Sequence, residues 1–129
     1  KWNGSYNCII INNVGQMSSK SVFELILSGE IESEIIYEDD DIFAINDINP
    51  VARVHILVIP KKKIATINDL NDSDVNLAGK MIMVAKKLAY EMGIDITGYR
   101  LLFNTNDDAM QTVFHIHLHL IGGEKLKNI

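Results

Sequence analysis

The chain has 129 residues, of which 47% are apolar and 22% are charged, a balance typical of one globular domain with a single core. Acidic side chains outnumber basic ones by 17 to 12, for a formal net charge of -5. This charge argues against binding to a nucleic acid polymer, and the lack of a long apolar stretch argues against a membrane partner. Cys8 is the only cysteine, so we expect a reducing compartment, the cytosol or alternatively the nucleus.

The N-terminal part of the chain divides at about residue 20. Residues 1–20 show no clear period and are predicted to form an irregular extension, which leaves 21–129 as the domain. Serines that can cap a helix precede the apolar residues Val22, Phe23, Leu25, Ile26 and Leu27, and Gly29 lies just past the end of this segment. A short first helix is therefore predicted here.

The remainder predicts strands grouped as hairpins, with one long helix among them. The five predicted strands are Ile35–Glu38, Ile42–Ile45, His55–Ile59, Tyr99–Phe103 and Val113–Ile121. Apolar residues at helical spacing from Val75 to Met92 follow an acidic start at 69–74 and end at Gly93. The pattern predicts an α+β fold with a five-stranded antiparallel sheet and two helices.

Three histidines alternate along the last predicted strand. In a strand His115, His117 and His119 would share one face, with successive side chains about 6.6 Å apart. Phe114, Ile116 and neighbouring apolar residues would face the core. Each imidazole has two ring nitrogens that need partners and titrates near neutral pH, so a row of three is costly without a role.

Three interpretations of this row remain open from the residues alone. The first is a hydrogen-bonded structural row. The second is a metal site, since two histidines spaced i, i+2 can bind zinc, although all three fan out over about 13 Å and cannot share one ion. The third is chemistry at a phosphate, in which a neutral imidazole attacks phosphorus while its neighbours hold the oxygens. We favour the third interpretation.

These residues carry a resemblance to a known family. Segment 115–121 reads His-Ile-His-Leu-His-Leu-Ile, which is similar to the defining motif of the histidine-triad (HIT) superfamily. The flanks resemble its HINT branch, the histidine triad nucleotide-binding proteins: 43–50 reads Phe-Ala-Ile-Asn-Asp-Ile-Asn-Pro, 55–62 reads His-Ile-Leu-Val-Ile-Pro-Lys-Lys, and 98–100 reads Gly-Tyr-Arg. The match runs in order from about residue 21 to 123.

The resemblance implies a homodimeric enzyme, associated through the long helix, that hydrolyses the P–N bond of AMP-linked amines. It implies that His117 is the nucleophile and forms a nucleotidyl-histidine, that His119 contacts phosphate oxygens, and that His115 and His55 support the row. It implies no cofactor and no metal ion.

The resemblance also implies the binding site for a purine nucleotide substrate. Asp47 would accept the ribose hydroxyls, while Asn104, Gln111 and Thr112 would lie at the phosphate. The apolar clamp for the base would comprise Phe23, Ile26, Ile45 and Ile48.

Three departures from the family pattern leave open which amine the substrate carries as its leaving group. Met110 stands in a loop that often carries glycine, Ile45 stands where an aromatic residue is common, and no Trp follows Gly123. A dinucleoside polyphosphate hydrolase of another HIT branch and a nucleotide-binding regulatory or scaffold protein remain the alternatives.

Overall fold

The structure, a computed structural model, describes the backbone of residues 7–11 and 17–129 and the side chains from Lys20 onward. Asn7–Ile11 (β1) pairs antiparallel with Met17–Ser21 (β2), from Asn7 opposite Ser21 to Ile11 opposite Met17. The prediction of an irregular extension is therefore corrected where the extension is described, and its remainder lies outside the described residues. A run of β-branched isoleucines favours a strand, but a single run gives no sign of its partner.

The first helix, Val22–Ser28 (α1), follows β2 directly, as its sequence predicts. Ser21 is its N-cap: the Ser21 hydroxyl accepts from the Glu24 amide, and the Glu24 carboxylate accepts from the Ser21 amide. This reciprocal pair satisfies two amides that a helix start leaves without partners. Gly29 ends the helix in a left-handed conformation, at φ 84°.

A five-stranded antiparallel sheet forms the centre of the molecule and confirms the predicted fold class. Its strands are Ile35–Glu38 (β3), Ile42–Asn46 (β4), Val54–Pro60 (β5), Tyr99–Leu102 (β6) and Leu118–Gly122 (β7). Their order across the sheet is β3-β4-β5-β7-β6. The long-range β5–β7 pairing matters most for the site, because it sets Leu57 opposite His119 and His55 opposite Ile121.

The two faces of this sheet pack against different helices. The second helix, Val75–Glu91 (α2), covers one face through Met81, Val84 and Leu88, which share a core with Ile56 and Leu120. Two short 3-10 turns at 67–69 and 72–74 lead into it. Neither helix in the described part of the chain is long and apolar enough to cross a membrane.

The opposite face carries α1 and a second, smaller core. Its buried members are Val22, Phe23, Ile26, Phe43, Ile45, Leu57, Ile59 and Val113. Directly opposed residues of an antiparallel pair project to the same side, so His119, paired with Leu57, belongs to this face. The α1 face is therefore where apolar core and histidines meet.

Candidate active site

The histidine segment is only partly a strand, which corrects the prediction of one strand over 113–121. The strand β7 begins at Leu118, so His115 and His117 precede it. The ladder with β5 ends at the pair Val58–Leu118, and Pro60 has no N–H with which to continue it. The amide of Ile116 instead donates to the carbonyl of Ile64. His115 and His117 are consequently placed by individual hydrogen bonds rather than by strand geometry.

His115 lies in the core with no exposed surface, and both of its ring nitrogens have partners. Nε2 is 2.7 Å from the carbonyl of Pro60, which can only accept, so Nε2 carries the proton. Nδ1 is 2.7 Å from the Ser21 hydroxyl. Burial lowers the pKa of His115, so the ring is neutral and its Nδ1 accepts from Ser21.

His117 follows with its ring held by the chain just before it. Its Nδ1 lies 2.8 Å from the His115 carbonyl and therefore donates, which leaves the lone pair on Nε2. Burial is the main cause that lowers the pKa of His117, and the ring packs edge-on against Phe23 at 4.9 Å between centroids. A neutral, oriented imidazole with an available nitrogen is what nucleophilic attack requires.

His55 and His119 form a second chain of hydrogen bonds. The Val51 amide donates to Nδ1 of His55 at 3.1 Å, so the proton of this neutral ring sits on Nε2. That nitrogen lies 2.9 Å from Nδ1 of His119 and donates to it. The proton of His119 is thereby placed on its own Nε2, a buried atom with no hydrogen-bond partner among the described residues. Burial, followed by His117 and His55, lowers the pKa of His119 to about 3.

These two sets of hydrogen bonds place the lone pair of His117 beside the N–H donor of His119. The rings of His117 and His119 are 5.0 Å apart between centroids. One offers an unprotonated Nε2 and the other an Nε2–H with no partner. This pair suits a centre that is attacked at one atom while negative charge grows on a neighbouring oxygen.

The best candidate for a metal site within the described residues is the group of Asp47, His55 and His119. Their potential ligand atoms lie within 4.8 Å of one another. A metal ion would need the lone pair of His55 Nε2, but the Val51 amide already uses the lone pair on Nδ1, so Nε2 holds the proton. This group therefore fits a metal poorly.

Asp47 lies where β4 ends and is oriented by its surroundings. One carboxylate oxygen accepts from the Asn49 amide at 2.8 Å, and the other lies 3.4 Å from Nε2 of His55. The Asp47 amide donates to the His55 carbonyl, which ties the loop to β5. Although Asp47 raises the pKa of His55, burial has the larger effect, and the net pKa is lowered.

The four predicted base-clamp residues are brought together on the α1 face. Phe23, Ile26 and Ile45 are 0 to 2% exposed, so they are core residues, while Ile48 is half-buried and packs against them. A ligand on this surface would contact Ile48 directly. Phe23, Ile26 and Ile45 would support Ile48 from the core and could touch the ligand only if α1 moved.

The loop before the histidines is braced by Gln111. Its side-chain N–H groups donate to the carbonyls of Ala65 and Val113, and its side-chain oxygen accepts from the Asn106 amide. Gln111 is buried and its polar atoms are used in this way, so it supports the loop rather than offering its side chain to a ligand. Asn104 and Thr112, in contrast, make no side-chain hydrogen bond within the described part of the chain, and Thr112 is exposed.

Sequence reasoning missed three groups that place the histidines: the Ser21 hydroxyl, the Pro60 carbonyl and the Val51 amide. The last two are backbone groups, for which a sequence gives no signal. Ser21 was visible as a helix cap, but its bond to His115 joins residues 94 positions apart.

Comparisons with known proteins identify the family to which this chain is similar. The HIT domain family matches residues 28–126. The purine nucleoside phosphoramidase of Escherichia coli (strain K12) is 46% identical over 110 residues, which are 85% of this chain and 92% of that protein. The crystal structure of an HIT family hydrolase from Legionella pneumophila Philadelphia 1 superposes with a TM-score of 0.80 at 49% identity, covering 82% of this chain and 95% of that one.

A more distant structure gives the same result. The histidine triad nucleotide-binding protein from Candida albicans is 28% identical, with a TM-score of 0.71 and 85% of each chain covered. A family match over most of the chain, together with relatives above 40% identity, decides the assignment. This chain belongs to the HIT domain family.

Proposed function

We propose that the protein is a purine nucleoside phosphoramidase, which hydrolyses the P–N bond between a nucleotide and an amine. The observation that carries this proposal is the pairing of an unprotonated Nε2 on His117 with an unpartnered Nε2–H on His119. The name of the Escherichia coli relative supports the choice of reaction, and its 46% identity extends over most of both chains.

The reaction proceeds in two displacements. In the first, Nε2 of His117 attacks the α-phosphorus, a P–N bond to the histidine forms, and the bond to the amine breaks. The departing nitrogen takes up a proton from solvent. In the second, water attacks the same phosphorus, releases a proton to solvent and frees Nε2 of His117. Dividing one substitution into two is the usual gain of covalent catalysis.

His119 stabilises the phosphate oxygens while charge accumulates on them. Its Nε2–H needs no reorientation, because the His55 ring and the Val51 amide fix where the proton sits. A preorganised donor of this kind in a buried site lowers the activation free energy by about 2.7–4 kcal/mol. Thr112 and Asn104, whose polar groups have no partner within the described residues, supply further contacts to phosphate.

The nucleoside half binds beside β4. The Asp47 carboxylate accepts the two ribose hydroxyls as a charge-assisted pair, and this selects ribose over deoxyribose. Ile48 provides the exposed edge of the surface for the purine, supported by Phe23, Ile26 and Ile45. These assignments rest on the resemblance together with the orientation of Asp47.

We also propose that two copies associate through β6 and α2. Among the described strands β6 has only β7 as a neighbour, so one of its edges carries unpaired backbone groups. Met83 and Tyr90 on α2 are 59% and 71% exposed, and they line a cleft together with Tyr99 of β6. Sedimentation equilibrium should give a dimer, and Met83→Glu combined with Tyr90→Glu should give a monomer. A wild-type protein that is monomeric at tens of micromolar would contradict this.

The activity is tested with an adenosine phosphoramidate that carries a fluorescent amine. Hydrolysis should proceed without added metal and should be unchanged by EDTA. Faster cleavage of diadenosine tetraphosphate than of the phosphoramidate would favour the other HIT branch, and loss of turnover with EDTA would favour a metal mechanism. Binding of AMP without hydrolysis of either compound would favour a regulatory role.

The nucleophile is tested with His117→Ala. Turnover should fall by at least about 10³-fold, as when other enzymes lose a nucleophile, while AMP affinity changes little. After rapid quenching of the wild type, the peptide that contains His117 should carry a nucleotidyl group in mass spectra. An adduct on another residue, or an unchanged rate in the variant, would refute the assignment.

A further inference from the structure

Ser21 is a buried polar residue at the junction between β2 and α1. It has no exposed surface, and its hydroxyl has two partners of different kinds. The Glu24 amide donates to the hydroxyl oxygen at 3.1 Å, as expected for a helix cap. The same oxygen lies 2.7 Å from Nδ1 of His115, a residue of the histidine motif.

The direction of these bonds is determined by groups that can act in only one way. The Glu24 amide must donate, so the Ser21 oxygen uses a lone pair to accept. Nε2 of His115 must donate to the Pro60 carbonyl, so Nδ1 of the neutral ring must accept. The Ser21 hydroxyl therefore has a single role left for its proton, which is to donate to His115.

This bond reaches the proposed nucleophile through the backbone. The segment 115–117 precedes β7 and lacks a ladder to fix it. Its position depends on the two bonds of the His115 ring and on the bond from the Ile116 amide to Ile64. The carbonyl of His115 in turn accepts from Nδ1 of His117 and so keeps the lone pair on the opposite nitrogen.

We propose that Ser21 is a positioning residue for the reaction: its hydroxyl, together with the Pro60 carbonyl, holds the His115 ring at both nitrogens, and His115 holds His117 ready to attack. This inference rests on the proposed phosphoramidase function. Without the hydroxyl, Nδ1 of His115 would be a buried acceptor with no donor, which is unfavourable. The Pro60 carbonyl would still require the proton on Nε2, so the ring would shift or rotate to find a donor for Nδ1, and the segment that carries His117 would move with it.

The competing explanation is that Ser21 only caps α1. Three variants separate the two. Ser21→Ala removes both roles, and Ser21→Thr keeps a hydroxyl that serves both. The matched control is Ser28→Ala, which removes the hydroxyl at the other end of α1, where Ser28 donates to the Leu25 carbonyl away from the histidines.

The first measurement needs no substrate. Long-range ¹H–¹⁵N spectra of the imidazoles report which nitrogen of each ring is protonated, and the ¹⁵N shift of the other nitrogen reports whether it accepts a hydrogen bond. The wild type, Ser21→Thr and Ser28→Ala should all show Nδ1 of His115 as a hydrogen-bonded acceptor, while Ser21→Ala should show it without a donor and should also shift the ring resonances of His117. If the ring resonances of His117 in Ser21→Ala stay at their wild-type positions, the proposal is overturned, whatever the protein hydrolyses.

The second measurement is steady-state hydrolysis of the adenosine phosphoramidate at a temperature where all variants are folded. Ser21→Ala should lower kcat by about 10- to 100-fold, the range seen in metalloenzymes when a hydrogen bond that orients a metal-binding side chain is lost. The KM should change less than about twofold, and Ser21→Thr should restore kcat. Equal rates for Ser21→Ala and Ser28→Ala would overturn the proposal, whereas a wild type without phosphoramidase activity would instead overturn the function on which it rests.

Discussion

The two faces of the central sheet differ in how they are built. The α2 face is a continuous apolar core of thirteen buried residues under a 17-residue helix. The α1 face has eight buried apolar residues under a 7-residue helix, and it shares its surface with four histidines. Hydrophobic burial dominates on the first face, while directional hydrogen bonds fix the second.

This difference indicates a division between stability and chemistry. Apolar burial is tolerant of direction, so it can hold a sheet together without fixing any one atom. A nucleophile and a donor must be fixed in both position and protonation state, which requires partners at particular nitrogens. Burying imidazole rings disfavours their protonation and lowers stability in acid, and the buried histidines all lie on the α1 face. Substitutions on the two faces should therefore have effects of different kinds.

The largest expected effect on stability comes from the α2 face. Leu88 is 3% exposed, and Leu88→Ala should lower the free energy of unfolding by about 2–5 kcal/mol through lost burial and a cavity. Urea denaturation gives this value, and the kcat of the folded variant should stay at the wild-type level. Exposed Asn76→Gln in the first turn of the same helix, away from the proposed dimer interface, is the control and should change stability by less than about 0.5 kcal/mol. A kcat that falls with Leu88→Ala would show that the faces are coupled.

On the α1 face, His119→Ala should reduce activity more than stability. Losing the unpartnered Nε2–H should lower kcat by about 10²- to 10³-fold, with a smaller change in KM, because the donor acts on charge that develops during reaction. His119→Gln retains an N–H donor and should lose less. Steady-state hydrolysis gives kcat and KM, and urea denaturation gives the change in stability. Equal losses for both variants would mean that the donor is not what His119 contributes.

The histidine face should also make stability sensitive to acid. The pKa values of His55, His115, His117 and His119 are all lowered in the folded protein, chiefly by burial. Below the unfolded value of about 6.5 the unfolded chain binds protons that the folded chain does not, so the free energy of unfolding falls as the pH falls. With a pKa of about 3, His119 alone should remove about 2 kcal/mol between pH 7.5 and pH 5.

Urea denaturation from pH 7.5 to pH 5 measures this dependence. The curve should be flat above the unfolded histidine pKa and should decline below it. His119→Gln should make the decline shallower, since one imidazole with a lowered pKa is gone. A free energy of unfolding that stays constant down to pH 5 would contradict the lowered pKa values.

The α2 face could be predicted closely from the sequence, and the α1 face only in part. Periodicity located α2 because its signal lies within consecutive residues, and Gly93 marked its end. The histidine motif identified His55, His115, His117 and His119 by resemblance. The prediction of one strand over 113–121 was wrong for His115 and His117, because the end of the ladder depends on Pro60 in a different strand, while His119 does lie in β7. Likewise, Ser21 and His115 meet only once the sheet has formed, so local pattern could not pair them.

The smallest expected effect concerns the loop before the histidines, where one residue has an unfavourable backbone conformation. Met110 has φ 61°, a left-handed conformation unfavourable to side chains with a Cβ, and is 80% exposed, so it gains little from packing. Met110→Gly should therefore raise the free energy of unfolding by about 0.5–1 kcal/mol, as measured by urea denaturation. The neighbouring Ala109→Gly, at a position without a positive φ, should lower it by a similar amount. If both variants shift the free energy of unfolding in the same direction, the backbone at Met110 is not strained. The destabilisation near the histidines would then come from their buried rings alone.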